Sequence, residues 1–115
     1  MKKILMLISL DAYVKTKKAL LNIGIVAMSS QVVQGRGKKS IPFEIDNDDD
    51  KVNVMQQDDP LLPKQLIEII VEDKLVDDVV KTVISTNMTG NSGDGKIFII
   101  PVDDVLTIRT NKHEI

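Results

Sequence analysis

Residues 89–100 read T-G-N-S-G-D-G-K-I-F-I-I and concentrate groups that could hold an anion. Gly90, Gly93, Gly95 and Lys96 fall within seven residues, and the apolar run Ile97, Phe98, Ile99, Ile100 follows at once. Glycine lets backbone N–H groups turn inward and approach a ligand closely. Successive inward N–H groups make a nest for an anion, and a neighbouring lysine adds a point charge. The pattern G-x-x-x-x-G-K-[ST] is met at Gly90, Gly95 and Lys96, but Ile97 stands where a metal-binding hydroxyl belongs. That pattern also opens a helix, whereas Ile97 and its followers read as a strand. The residues therefore suit a phosphate-cradling loop that enters a strand. They are equally those of a plain turn between two elements.

A second glycine-basic cluster, Gly35, Arg36, Gly37, Lys38 and Lys39, lies far upstream, and Lys64 and Arg109 add further cations. Two such loops converging on one cleft would suit a polyphosphate, each charge-assisted hydrogen bond contributing about 1.5–3 kcal/mol. Glu68 sits among Ile67, Ile69 and Ile70. It reads either as a buried general base or as a carboxylate on a sheet face that accepts hydrogen bonds in a cleft, the second being simpler. The run D-N-D-D-D at 46–50 imitates the start of a calcium loop. Lys51 and Gln57 occupy the places where glycine and glutamate are needed, so a solvated acidic loop accounts for it better. The chain has no cysteine, its serines have no candidate base, and its one histidine, His113, belongs to a solvated tail without a sequence neighbour to work with. No catalytic set and no metal site assembles.

The elements that must carry these residues are legible from periodicity. Residues 3–9 form a compact apolar run of strand length, buried on both faces. Ser9 or Asp11 can cap a helix over 10–23, with Leu10, Tyr13, Val14, Leu20 and Leu21 inward, Lys15, Lys17 and Lys18 outward, and Gly24 just past its end. Residues 25–33 are rich in β-branched side chains and predict strand two. Residues 64–71 predict strand three. Glu72 and Asp73 place negative charge at the start of a second helix, whose apolar positions Leu75, Val76, Val79, Val80, Val83 and Ile84 run to about residue 86. Residues 96–100 predict strand four, stopped by Pro101, and 105–110 alternate like a short final strand. Between strands two and three, residues 40–61 offer little to bury. They predict a long mobile excursion, with one short extended stretch at 52–55.

The order β-α-β-(long loop)-β-α-β predicts an α+β, ferredoxin-like fold with both helices on one face of an antiparallel sheet. An uncovered, rather apolar second face predicts a symmetric oligomer. At 115 residues and net charge −2, a single domain over 1–115 is expected, with a real core. The charge and the three aromatics, Tyr13, Phe43 and Phe98, argue against nucleic acid as a partner. The apolar start, M-K-K-I-L-M-L-I-S-L, is too short for a signal peptide and lacks a cleavage pattern. No stretch approaches the ~18 apolar residues of a membrane span. A soluble, cytoplasmic protein is expected.

At this point the residues resemble a known family. The segment T-G-N-S-G-D-G-K-I-F-I-I-P-V-D-D-V-L-T-I-R-T, the start M-K-K-I, V-V-Q-G-R-G-K-K, and L-P-K-Q-L-I-E-I-I-V-E-D at 62–73 resemble, in order, the PII nitrogen-regulatory proteins. The likeness covers nearly the whole chain except 40–61. It implies a ferredoxin-like homotrimer that binds ATP or ADP in clefts between subunits and, with Mg²⁺ and ATP, 2-oxoglutarate. The long loop, called the T-loop, then alters docking onto a target. By that resemblance Gly93, Asp94, Gly95 and Lys96 hold phosphates, and Gly35, Arg36, Gly37 and Lys38 close the cleft. Ser29 and Glu68 lie near adenine or ribose, Arg109 reaches in from a neighbouring subunit, and Lys64 pairs with a 2-oxoglutarate carboxylate.

Two departures bear on this. Thr107 stands where the family commonly has a second arginine, which removes a phosphate contact. Lys39 replaces a glutamine that helps hold Mg²⁺, and a protonated lysine ligates no metal. Residues 40–61 contain no tyrosine, which excludes tyrosine uridylylation. The acidic loop, G-R-G-K-K and Y-V-K-T-K-K-A-L look more like the branch associated with nitrogen fixation, whose target is nitrogenase and which works with a PII-like paralogue. Regulation of an ammonium transporter is the alternative within the family. Outside it stand a nucleotide-using enzyme on the same fold and a module that binds amino acids but no nucleotide.

Overall fold

The structure is a computed structural model that describes residues 1–36 and 61–115. The expectations for Gly37, Lys38, Lys39 and nearly all of the 40–61 excursion lie outside the described residues. Four strands, β1 (Lys2–Ile8), β2 (Ser29–Gly35), β3 (Leu62–Val71) and β4 (Gly95–Pro101), form one antiparallel sheet in the order β2-β3-β1-β4. A short 3-10 turn, Leu10–Ala12, leads into α1 (Tyr13–Asn22), and a second, Asp73–Leu75, leads into α2 (Val76–Asn87). This is the expected α+β ferredoxin-like topology.

Alternation along the central strands separates two faces. Ile4, Met6 and Ile8 of β1 and Ile67, Ile69 and Val71 of β3 point to the helices and form the core with Leu20 of α1 and Val79 and Val83 of α2. Fully burying each such aliphatic side chain contributes about 1.5–3 kcal/mol. The intervening positions, Leu5, Leu7, Leu66, Ile70, Phe98 and Ile100, face away from the helices, and Phe98 and Ile100 remain about 43% and 40% exposed. The strands thus bury one face in the single chain, not both as residues 3–9 alone suggest.

Helix ends follow local chemistry. The Ser9 hydroxyl accepts from the Asp11 N–H at 3.2 Å. At the other end of α1, Ile25 N–H reaches Leu20 O at 2.9 Å and Gly24 N–H reaches Leu21 O at 3.0 Å, with Gly24 at φ +90°. This glycine-terminated cap uses the Ile25 N–H. In the β2–β3 register Ile25 would in any case stand opposite Glu72, past the end of β3. Strand two consequently starts at Ser29, four residues later than apolar content predicts. Between the helices, buried Thr16 donates to Ala12 O at 2.6 Å and accepts from Asn87 Nδ2 at 3.0 Å. The N-terminal ammonium and Lys2 bond Asp73 at 2.7 and 3.1 Å. Both hold the Asp73 carboxyl below the usual carboxylate range, the terminal ammonium most.

One expected element is absent. Residues 105–110 form no strand, and only Thr107 bridges to Lys112 across a turn. Alternation alone does not supply a sheet edge, and this segment closes its hydrogen bonds on itself.

Candidate functional site

The loop between α2 and β4 is organised around its own carboxylate. Asp94 accepts from the backbone N–H of Thr89 at 2.7 Å and of Gly90 at 3.0 Å, and from the Thr89 hydroxyl. These donors, the hydroxyl foremost, hold the Asp94 carboxyl below its usual range. Asp94 is therefore a brace for the loop, and two N–H groups of the expected nest already have an anion. The N–H groups of Ser92 and Gly93 have no hydrogen-bond partner among the described residues. Sequence reasoning missed Thr89. The available signal was a hydroxyl five residues before an aspartate across glycines, a spacing that suits side-chain bracing of a tight loop.

Gly93 and Gly95 both take positive φ, +99° and +120°. Gly95 is the first residue of β4, opposite Ile8, and a Cβ there would run into the Leu7 carbonyl oxygen. Only glycine lets the loop enter the strand at this point. The Lys64 ammonium donates to Gly93 O at 3.2 Å, which ties β3 to the loop.

Strand register brings most of the expected residues to one end of the sheet. Gly95, Ile8, Gln65 and Val32 form one transverse row, Lys64 adjoins it, and Gly35 and Arg36 end β2 beyond it. Lys64 and Lys96 thus lie beside the braced glycine loop and Arg36 follows β2 at the same end of the sheet, and Arg36 and Lys96 form no ion pair among the described residues. Lys64, Lys96, Ser29 and Glu68 share the helix-free face by their register. This end suits a multiply charged anion. Among the described residues no group of three or more acidic or imidazole side chains could hold a metal, and the carboxylate of Asp94 is already committed.

Ser29 and Glu68 are direct partners across β2 and β3 and line a depression of about 210 Å³ with Ser30, Gln31 and Leu66. Their row lies three residues along the strands from the Gly95 row, about 10 Å at ~3.3 Å per residue. Glu68 is not a buried base. Its side chain is 41% exposed and pairs with Lys3 at 3.2 Å. A concavity of about 450 Å³ among the described residues opens on the helix face between α2 and β4. Its walls are mainly apolar, with Val80, Ile84, Met88, Ile97 and Ile99, and its rim reaches Asp94, Gly95 and Lys96 of the glycine loop. The apolar walls suit a charged ligand poorly, so the loop and the strand ends, not this concavity, locate the candidate anion site.

Arg109 stands apart. Its segment leaves from Pro101, at the end of β4 opposite to Gly95, and no hydrogen bond or ion pair joins Arg109 to the cluster among the described residues. Within it Thr107 is bonded through its N–H to Lys112 O at 2.9 Å and through its hydroxyl to Glu114 O at 3.1 Å. His113 has a partner that sequence proximity did not reveal, with Nδ1 2.8 Å from Asp104 Oδ1.

A ferredoxin-like sheet with a braced glycine-lysine loop and cations on the adjoining strand ends defines a small α+β module of the ferredoxin-like class. The sequence profile of the family described as nitrogen regulatory protein P-II matches residues 1–112. The chain is 36% identical over 116 residues to "Nitrogen fixation nifHD region glnB-like protein 2" of Methanococcus maripaludis, covering 98% of this chain and 96% of that protein. It is 39% identical over 113 residues to "Nitrogen regulatory protein P-II 2" of Methanothermobacter thermautotrophicus, covering 97% and 92%. It is 40% identical over 98 residues to "Nitrogen regulatory protein P-II" of Microchaete diplosiphon, covering 85% and 82%. The chain belongs to the PII nitrogen-regulatory protein family. No helix among the described residues is long and apolar enough to cross a membrane.

Proposed function

We propose that this single-domain chain acts in the cytoplasm as a non-enzymatic sensor of nitrogen status. It assembles as a homotrimer and binds ATP or ADP in the clefts between subunits. The phosphates lie against Gly93, Gly95 and Lys96, with Gly35, Arg36, Gly37 and Lys38 closing over them, and Asp94 holds the loop in shape. Ser29 and Glu68 of the adjoining subunit serve the nucleoside, and its Arg109 completes the phosphate site. Mg²⁺ is held chiefly by the phosphates, and 2-oxoglutarate joins it through Lys64, whose ammonium has donors to spare beside its bond to Gly93 O. Occupancy changes the T-loop over 40–61 and with it the docking of a target protein.

The observation that carries this reading is the division of the expected residues. One chain carries Gly35, Arg36, Lys64 and Lys96 towards one end of its sheet, while Ser29 and Glu68 pair farther along the strands and the segment that bears Arg109 leaves β4 at its opposite end. A site assembled from two copies reconciles them, and the exposed apolar positions Phe98 and Ile100 on the open face support association. The names of the methanogen relatives favour the nitrogen-fixation branch, with nitrogenase as target and a PII-like paralogue alongside. An ammonium-transporter target is the second reading within the family. A phosphotransferase is disfavoured by Ile97 at the hydroxyl position and by the exposed, ion-paired Glu68.

Calorimetric titration with ATP tests the assignment. Lys96→Ala is expected to weaken binding about tenfold or more, the loss of one charge-assisted contact. Wild-type affinity in Lys96→Ala would show the phosphate loop to be misassigned, and steady ATP turnover lost in Glu68→Gln would revive the enzyme reading. Titration of 2-oxoglutarate with and without MgATP measures whether Lys39 permits that ligand.

A further inference from the structure

The C-terminal segment is knotted into a turn with Arg109 near its apex. Asn111 N–H reaches Thr107 O at 2.7 Å, and Thr107 N–H reaches Lys112 O at 2.9 Å. Asn111 takes φ +55° to close the turn. The Thr107 hydroxyl donates to Glu114 O at 3.1 Å, and the Glu114 carboxylate accepts from the Thr110 hydroxyl at 3.1 Å. Outside this knot His113 Nδ1 meets Asp104 Oδ1 at 2.8 Å, and the same oxygen accepts the Val105 N–H at 2.8 Å. All of this is built on an exposed segment whose Ile108 is 100% exposed. The segment has no sheet to order it, so its order comes from these bonds.

We propose that residues 104–114 form a preorganised turn that presents Arg109 to phosphate, with Thr107 and His113 as its positioning residues. The proposal rests on the reading that Arg109 contacts a nucleotide phosphate in a neighbouring subunit. At position 107, where the resemblance leads to the expectation of a second arginine, the chain has the uncharged Thr107. Its hydroxyl ties the backbone two residues from Arg109, so less conformational freedom is lost when Arg109 engages. The Asp104–His113 bond ties the start of the segment to its end.

The test is ATP titration of the full chain carrying Arg109→Ala, Thr107→Val, Thr107→Ser, His113→Ala and the double variant Thr107→Val with Arg109→Ala. Thr107→Val is expected to weaken ATP about three- to tenfold, the worth of one hydrogen bond, and Thr107→Ser to stay within about twofold. In the double variant Thr107→Val should add nothing to the loss from Arg109→Ala, since it acts through that residue. His113→Ala is expected to weaken ATP about 1.4- to fivefold, the worth of one exposed pair. Wild-type affinity in Thr107→Val or in His113→Ala, or full additivity in the double variant, each overturns the proposal. If Arg109→Ala binds as wild type, the underlying reading fails instead, and the proposal falls with it.

Discussion

Replacing Gly95 by alanine tests the entry of the phosphate loop into the sheet. Gly95 has φ +120°, and an added Cβ would strike the Leu7 carbonyl oxygen, a backbone atom that cannot swing aside. The conformation alone costs about 1–3 kcal/mol for a residue with a side chain. Relief of the clash requires the β1–β4 ladder to open at Ile8, losing one or two hydrogen bonds of about 0.5–1.5 kcal/mol each. The sum is about 1.5–6 kcal/mol. For 115 residues an unfolding entropy near 0.24 kcal/mol/K makes each kcal/mol worth about 4 °C. Gly95→Ala should therefore melt about 6–24 °C below wild type, by circular dichroism at one fixed protomer concentration. Gly35→Ala is the control, because Gly35 has no positive φ and a Cβ there meets nothing within 4 Å. It should shift melting by no more than about 2 °C. If both variants melt together, the close approach at Gly95 does not govern this strand entry.

Three further outcomes are expected. Thr16→Val keeps the volume but strands one proton of the Asn87 amide in the core, and thermal melts should register a loss of about 1–2 kcal/mol. Asp73 and Asp94 have depressed folded-state pKa values, so their stabilising contribution is complete above the unfolded carboxylate range near pH 4 and disappears as pH falls through the lower folded values. Denaturant midpoints should therefore hold from about pH 5 upward and decline in acid, and Asp94→Asn should flatten that decline. Phe98→Asp puts a charge on the open sheet face. Light scattering should show a trimer for wild type and a monomer for the variant, and a trimeric variant would remove this face from the assembly.

Much of the architecture was written locally. Hydrophobic spacing located four strands and two helices because each buries one face, and Gly24 marked the end of α1 because a left-handed cap favours glycine. The glycine-lysine loop was legible from residues 90–96, since few residues other than glycine sit so close to a neighbouring strand. Other features were decided only by parts of the chain far apart in sequence. Register, not spacing, placed Lys64 against Gly93 and put Gly35 with Arg36 at the same end as Lys96. It also set the Ser29–Glu68 row about 10 Å from the Gly95 row, at ~3.3 Å per residue, and sent the segment that carries Arg109 off from Pro101, at the end of β4 opposite to Gly95. The alternation of residues 105–110 promised a strand, but pairing needs an edge. The segment instead closed around Thr107, and Asp104 found His113. The resemblance places Asp94 in the phosphate loop, and only the folded loop shows what its carboxylate does there, accepting from Thr89 and Gly90 as a brace. Composition and period determine which face of each element is apolar. Only the folded sheet determines which charges meet, since that depends on how the strands align.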